Sequence, residues 1–414
     1  MYKAFALGCK KALLAALGAS ATIACLPAHV LAQSLNTAVA QQLQTINSIP
    51  CATLRGATPI TRLQDGLFTI CTRSVGAGGT NPADSTGGGA GTPTTVPSVV
   101  SKRLKKARGE EEEAKTDKRE PAEATLGFGQ WSVFVSGEYE NLNRNVTTFA
   151  DGYDSNIGRL TIGADVRLTE QSVLGAALVG SKQIGGFDGG GNFTVNSSGV
   201  LVFGSFLPTA QTFIQATGGY TRGSNERNRV ATFVSDDSPA FERTGVPAAD
   251  FDADKFSAGI LAGYDYVAGN VTLGPRLGLD WINTHLGSYS ERGTSGLELT
   301  FYDNDETSLQ SALGVQGSMA ISTRYGVLSP QVNLAWRHEF KNDQRDVQVS
   351  FVHDTLAKRF IFQTDHPDRD FFELNVGAVV ALPHGIQAFV NYRTLLGNSI
   401  FNSNAGTIGL RVDL

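Results

Sequence analysis

The stretch "RLTIGADVRL", Arg159 to Leu168, decides the fold. Leu160, Ile162, Ala164, Val166 and Leu168 take the even positions, and Arg159, Thr161, Gly163, Asp165 and Arg167 the odd ones. In an extended chain successive side chains point to opposite faces, so this is a strand with one apolar and one polar face. After "TEQ" a second run begins at Ser172, with Leu174, Ala176 and Leu178 sharing a face. Two such runs around a short polar turn form a hairpin.

The same texture continues to the end of the chain. Trp131, Val133, Val135 and Tyr139 share a face. Val271, Leu273, Leu277, Leu279 and Trp281 alternate with Thr272, Gly274, Arg276, Gly278 and Asp280. Val332, Leu334, Trp336 and Phe340 alternate with Gln331, Asn333, Arg337 and Glu339, and Ile386, Ala388, Val390 and Tyr392 with Gln387, Asn391 and Arg393. The last run sets Ile408, Leu410, Val412 and Leu414 against Thr407, Gly409, Arg411 and Asp413. About twelve strands are predicted between residue 125 and Leu414. The alternation is weakest over Ser197 to Phe206 and Thr212 to Tyr220, where Phe and Leu occur on both faces.

The connections carry a second pattern. "TEQ", "PTAQ", "AGN", "TRYG" and "PHG" are short; between them lie long ones, at Asn141–Ser155, Gly185–Asn192, Gly223–Asp252, Gly287–Glu306, Lys341–Asp368 and Gly397–Ala405. A soluble sandwich has no reason for that parity. An up-and-down barrel in an outer membrane does, with tight turns on the periplasmic side and long loops on the surface side. The fold class is therefore all-β, a twelve-stranded antiparallel transmembrane barrel. Its apolar faces meet lipid, and Arg159, Asp165, Arg167, Arg276, Arg337 and Arg393 point into the lumen. Closing the sheet supplies the hydrogen-bond partners that lipid cannot. Tyr264, Tyr266, Trp281, Trp336 and Tyr392, near strand ends, fit aromatic girdles.

The N-terminal part is built differently. Residues 1–32 read as a secretory signal: Lys3, Lys10 and Lys11, an apolar run from Ala12 to Leu26, then Val30 and Ala32 ahead of the cut. An exported chain meets oxidising conditions, and Cys51 and Cys71, all that remain of four Cys after that cut, pair as a disulfide. A loop of that size contributes about 3 kcal/mol on the chain-entropy account. Residues 33–75 form a small region holding that pair, and 76–97 ("GAGGTNPADSTGGGAGTPTTVP" from Gly76) a flexible linker. Residues 98–124 open with a basic block and continue with an acidic one, through Arg103, Lys106, Glu110 and Glu111. Taken alone this is a solvated charge run: Gly109 interrupts it, and its charge order opposes a helix dipole.

Several function classes are excluded by composition. The chain has 414 residues, 34 Lys and Arg against 39 Asp and Glu and a formal net charge of −5, which does not favour nucleic acid. No G-x-S-x-G, H-E-x-x-H or P-loop occurs, so no catalytic group, cofactor or metal site is assigned. Tyr302–Glu306 and His366–Asp370 gather carboxylates on surface loops, where they are either hydrated or able to hold Ca²⁺ shared with lipopolysaccharide phosphates.

From about Phe128 to Leu414 the sequence resembles the β-domain of Gram-negative autotransporters, the type V secretion translocators. The carrying stretches are "LSPQVNLAWRHEF" (Leu328–Phe340), "HPDRDFFELNVGAVVAL" (His366–Leu382), "GIQAFVNYRTLLGN" (Gly385–Asn398) and "GTIGLRVDL" (Gly406–Leu414). The resemblance implies a twelve-stranded barrel, a helix threading its lumen (the role left for 98–124) and an N-terminal passenger carried outside. It implies partners too: outer-membrane lipid and lipopolysaccharide, the secretion machinery, and the barrel assembly machinery, which reads Leu410, Val412 and Leu414. Family members usually end in an aromatic residue, and Leu414 departs from that. Residues 33–75 are too few for a solenoid or an ordinary hydrolase domain, so they are expected to be a displayed adhesive or interaction element whose partner is unknown. The alternatives are a resident barrel, a plugged channel or structural protein with its N-terminal region in the periplasm, and last a surface enzyme.

Overall fold

The computed structural model describes residues 131–414, except 148, 170, 210, 236–240, 355–358 and 384. The expected signal segment, the Cys51–Cys71 pair, the linker and the charged segment with Arg103, Lys106, Glu110 and Glu111 lie outside the described residues.

Among the described residues the barrel is made of twelve long strands. They are β1 (Trp131–Arg144), β2 (Tyr153–Thr169), β3 (Ser172–Phe187), β4 (Gly191–Phe206), β5 (Thr212–Arg229) and β6 (Ala248–Tyr264), then β7 (Val271–Leu286), β8 (Asn304–Met319), β9 (Gly326–Glu339), β10 (Asp370–Ala381), β11 (Ile386–Leu396) and β12 (Phe401–Asp413). Each pairs antiparallel with its neighbours in sequence, and β12 pairs with β1 from Ser132↔Asp413 to Arg144↔Phe401, which closes the sheet. Closure removes the edges an open sheet would leave. Short strands at Tyr266–Ala268 and Ile321–Thr323 extend the pairing at the tight-turn end. Two of those turns use Gly at positive φ, Gly269 (61°) and Gly385 (74°).

Exposure shows which face looks outward. Leu160, Ile162 and Leu168 are 51, 54 and 50% exposed, while Thr161 and Asp165 are 7 and 1%. On β7 the outward apolar residues run from Val271 to Trp281, and Asn283 and His285 follow on the same face. Ten residues of tilted strand rise roughly 25 Å, the height of the apolar band of an outer-membrane barrel. The strands of this side extend beyond that band and keep pairing in water.

One expected long connection is not one. Gly185–Asn192 belongs largely to β3 and β4, joined by the tight turn Asp188–Gly190. Gly190 and Gly191 take positive φ there (96° and 103°), and Phe187 and Phe193 pack below the turn with ring centres 5.1 Å apart.

The other surface connections carry structure of their own. The chain after β5 makes the hairpin Ala231–Ser235/Phe241–Gly245. Tyr289–Ser290, Leu299–Phe301, Asp346–Phe351 and Phe360–Gln363 form a four-stranded sheet from the connections after β7 and β9. Its core, with Leu299, Phe301, Val347, Val349 and Phe362, is continuous with Ala249, Phe251 and Ala253 at the top of β6 and Leu286 at the top of β7. Tyr289 stacks between Phe251 and Phe301 at 4.1 and 4.8 Å, and the Arg227 guanidinium lies 5.0–5.2 Å from all three rings. Burial pushes the Tyr289 hydroxyl well above its ordinary pKa, so it stays protonated. Arg229 donates twice to Glu291, at 2.8 and 2.7 Å, with both side chains buried.

Candidate functional site in the barrel lumen

All twelve strands contribute to the inward face, and it has two contrasting walls. Around β3 and β4 it is largely apolar, with neighbours from β1, β2 and β5 joining at each end. Phe134, Val173, Ala177, Leu201, Phe203 and Phe213 cluster near the tight-turn end. Leu142, Tyr153, Ile157, Phe187, Phe193 and Val195 cluster near the surface end. Here aromatic rings face glycines on the next strand. Phe134 opposes Gly163, Phe203 opposes Gly175, Phe193 opposes Gly185 and Phe213 opposes Gly263. A Cβ on any of those glycines would stand 2.2–2.4 Å from the partner ring, so each glycine is a seat for an aromatic side chain. Phe389 and Gly409 repeat the arrangement across β11 and β12.

From β7 round through β12 to β1 and β2 the inner wall is charged and internally paired. Arg337 (β9) reaches Asp280 (β7) at 2.8 Å and Glu373 (β10) at 3.0 Å. Asn375 donates to the other oxygen of Glu373 at 2.8 Å. Arg393 (β11) lies 3.4 Å from Glu140 and 3.8 Å from Glu138, both on β1. Those carboxylates also accept from Ser403 and Thr407 of β12. Arg159 pairs with Glu138. Arg276 pairs with Asp265, donates to the Tyr264 carbonyl at 3.0 Å and stacks over Phe213. Asp165 is held by Arg411 at 3.0 Å; Arg411 also contacts Asp413 at 3.2 Å, and Ser132 donates to Asp413 at 2.6 Å. That group links β12, β1 and β2 across the closure. Arg167 shares the inward face of β2 opposite buried Val173.

Glu138, Glu140, Asp280, Glu373 and Arg411 were not singled out from sequence, although their positions carry the signal. In "GEYEN" the two Glu flank outward Tyr139, so parity alone sends both inward. Charges buried this deeply are costly unless paired and further hydrogen-bonded, which the wall accomplishes strand by strand. The side chains are anchored to their own wall, leaving a polar lining rather than a reactive constellation. On the last strand Leu410 and Leu414 stand outward, 51 and 71% exposed, and the Leu414 amide donates to the Trp131 carbonyl at 2.8 Å.

Among the described residues no group of three or more His, Cys, Asp or Glu could hold a metal ion. The surface carboxylates are engaged by protein groups: Asp303 accepts from the Ser288 amide, Asp305 pairs with His285, and Asp368 accepts from Ser399 and Ile400.

No curated protein matches the sequence. In structure, the translocator domain of the autotransporter NalP from Neisseria meningitidis is similar, with a TM-score of 0.53 at 13% identity over 77% of this chain and 96% of that one. The beta domain of the Bordetella autotransporter BrkA gives a TM-score of 0.49 at 17% identity over 70% of this chain and all of that one. The NalP likeness speaks to fold alone. The family model of the autotransporter beta-domain matches residues 133–393, well over half of the sequence. The chain therefore belongs to the autotransporter beta-domain family.

Proposed function

We propose that this barrel carries the chain's own N-terminal stretch, residues 33–75, to the cell surface and displays it there. The observation that carries the reading is the family match over 133–393, which makes the barrel an outer-membrane translocator, with a stretch of other composition ahead of it. The barrel's task is that of a pore, not of a catalyst. Its paired inner charges suit a polypeptide in transit, because a wall whose charges are already satisfied binds a passing chain weakly. Residues 98–124, with Arg103, Lys106, Glu110 and Glu111, thread the lumen once export is complete; the about 23 residues from Ser98 to Glu120 would span about 35 Å as a helix. The apolar face of β12, with Leu410, Val412 and Leu414, is what the assembly machinery reads, and lipid and lipopolysaccharide cover the outer band. The displayed stretch, looped by Cys51 and Cys71, acts by adhesion to a partner not yet identified.

An epitope tag placed after Gln33, with protease added to intact cells, tests the reading. Removal of the tag without lysis is expected. A tag protected until the outer membrane is opened would point instead to a resident barrel whose N-terminal region stays periplasmic.

A further inference from the structure

The surface end of the lumen has a roof. The chamber beneath it is walled by inward side chains from opposite sides of the barrel, Glu140 and Arg393 on one and Lys255 and Thr284 on the other. The roof is Thr364, Asp365, Pro367 and Asp368. These residues belong to the connection that leaves β9 after Glu339 and re-enters the wall at Asp370.

The two sides of that connection are held in different ways. On the β6–β7 side it is packed: Val347, Val349, Phe351 and Phe362 are buried in the loop core with Phe251 and Leu286. Arg345 adds an ion pair to Glu306 of β8 at 2.8 Å. On the β11–β12–β1 side it is held by two carboxylates. Asp365 accepts from Arg144 Nη2 at 2.6 Å and from Thr147 Oγ1 at 2.7 Å. Asp368 accepts from the Ser399 amide at 2.6 Å, the Ser399 hydroxyl at 2.7 Å and the Ile400 amide at 3.1 Å. Among the described residues the other polar contacts of this strap run to its own connection or to its base on β9 and travel with it: Thr364 with Arg345, His366 and Arg369 with Asn342, and the Arg369 carbonyl with the Glu339 amide.

We propose that Thr364–Arg369 is a latched strap across the exit of the lumen, which opens by release of Asp365 and Asp368 while the packed side stays folded. The physical basis is the asymmetry. Parting an apolar core exposes its whole area to water, whereas Asp365 and its covered partner Arg144, like Asp368 and the amides it accepts from, exchange one polar partner for water when the strap lifts. Units of such unequal stability open separately. Its purpose, regulation of export, rests on the translocator reading; the closure itself does not.

The test is single-channel conductance of the full-length chain refolded into planar bilayers. Asp365→Ala combined with Asp368→Ala is expected to raise the fraction of time spent open about tenfold. The isosteric pair Asp365→Asn and Asp368→Asn, which keeps the volume but removes the charge, should give a smaller increase in the same direction. In a background with Cys9, Cys25, Cys51 and Cys71 all changed to Ser, the pair Thr147→Cys and Asp365→Cys is expected to suppress openings when oxidised and to recover them with dithiothreitol. Retention of the folded band on unheated gels identifies variants that assemble. Wild-type open fractions in both carboxylate pairs, or openings unaffected by the oxidised lock, would overturn the strap. Conductance that responds while the N-terminal tag stays protected would sink export and leave the strap standing; a surface tag with unresponsive conductance would do the reverse.

Discussion

The two inner walls of the barrel share a period and a height but not a chemistry. From β7 to β11 the inward positions are Arg276, Asp280, Arg337, Glu373 and Arg393, joined into ion pairs. Around β3 and β4 they are Val173, Ala177, Val195, Leu201 and Phe203, with rings seated on glycines. The outer face is apolar all the way round, because lipid accepts little else. The inner face is free to be either, provided its polar groups are partnered. The wall facing lipid is set by the solvent, and the wall facing the lumen by its neighbours.

The largest effect should come from the charged wall. Arg337→Met leaves Asp280 and Glu373 buried without their cation, and a loss of about 3–5 kcal/mol is expected in urea unfolding of the refolded barrel. A change under about 1 kcal/mol would mean that the pairs are idle and the walls equivalent. On the apolar wall, Phe203→Ala should cost about 3 kcal/mol through the cavity left over Gly175. Adding Gly175→Ala should recover part of that loss, since the methyl group enters space the ring has vacated; no recovery would break the seat-and-ring account.

Glu298 extends the comparison to the loop core. Burial alone would raise its pKa, but hydrogen bonds from the Ser295 amide and hydroxyl and the Gly296 amide outweigh it and hold the carboxyl below the usual range. With the folded value depressed, the stabilisation is present above the ordinary carboxylate pKa and fades as pH falls through the folded one. The protection factors of the Leu299–Phe301 amides, each measured against the intrinsic exchange rate at the same pH, should therefore fall in acid. Glu298→Gln should cost about 1–2 kcal/mol at neutral pH and remove that dependence. The smallest effect is expected at Arg222→Ala, since the Arg222–Asp252 pair is exposed on the outer face: no measurable change in urea unfolding. A loss as large as that at Arg337 would erase the distinction between inner and outer charges.

The same contrast explains what could be read from sequence. Alternation is plain where the inner wall is charged, as in Val271–Asp280 and Gln331–Glu339. It blurs over Ser197–Phe206, because Leu201 and Phe203 point inward while Val200 and Val202 point to lipid. Parity assigned faces to Asp165 and Arg337, but it could not name partners, since Asp165 meets Arg411 from the opposite end of the barrel sequence. The loop core was not legible at all. It depends on contacts such as Arg229 with Glu291, distant in sequence and without local period. At Asp188–Gly190 "GGFDGGG" has the composition of a long loop, yet its glycines permit a tight reversal between paired strands.

The most direct test returns to Arg159–Leu168. Single cysteines are placed along it in a background with Cys9, Cys25, Cys51 and Cys71 changed to Ser, labelled with a polarity-sensitive fluorophore and challenged with brominated lipid in reconstituted vesicles. Quenching at Leu160, Ile162, Ala164, Val166 and Leu168, with none at Thr161, Gly163 and Asp165, is the predicted result. Quenching without alternation, or at the odd positions, would contradict a barrel whose charged face is its lumen.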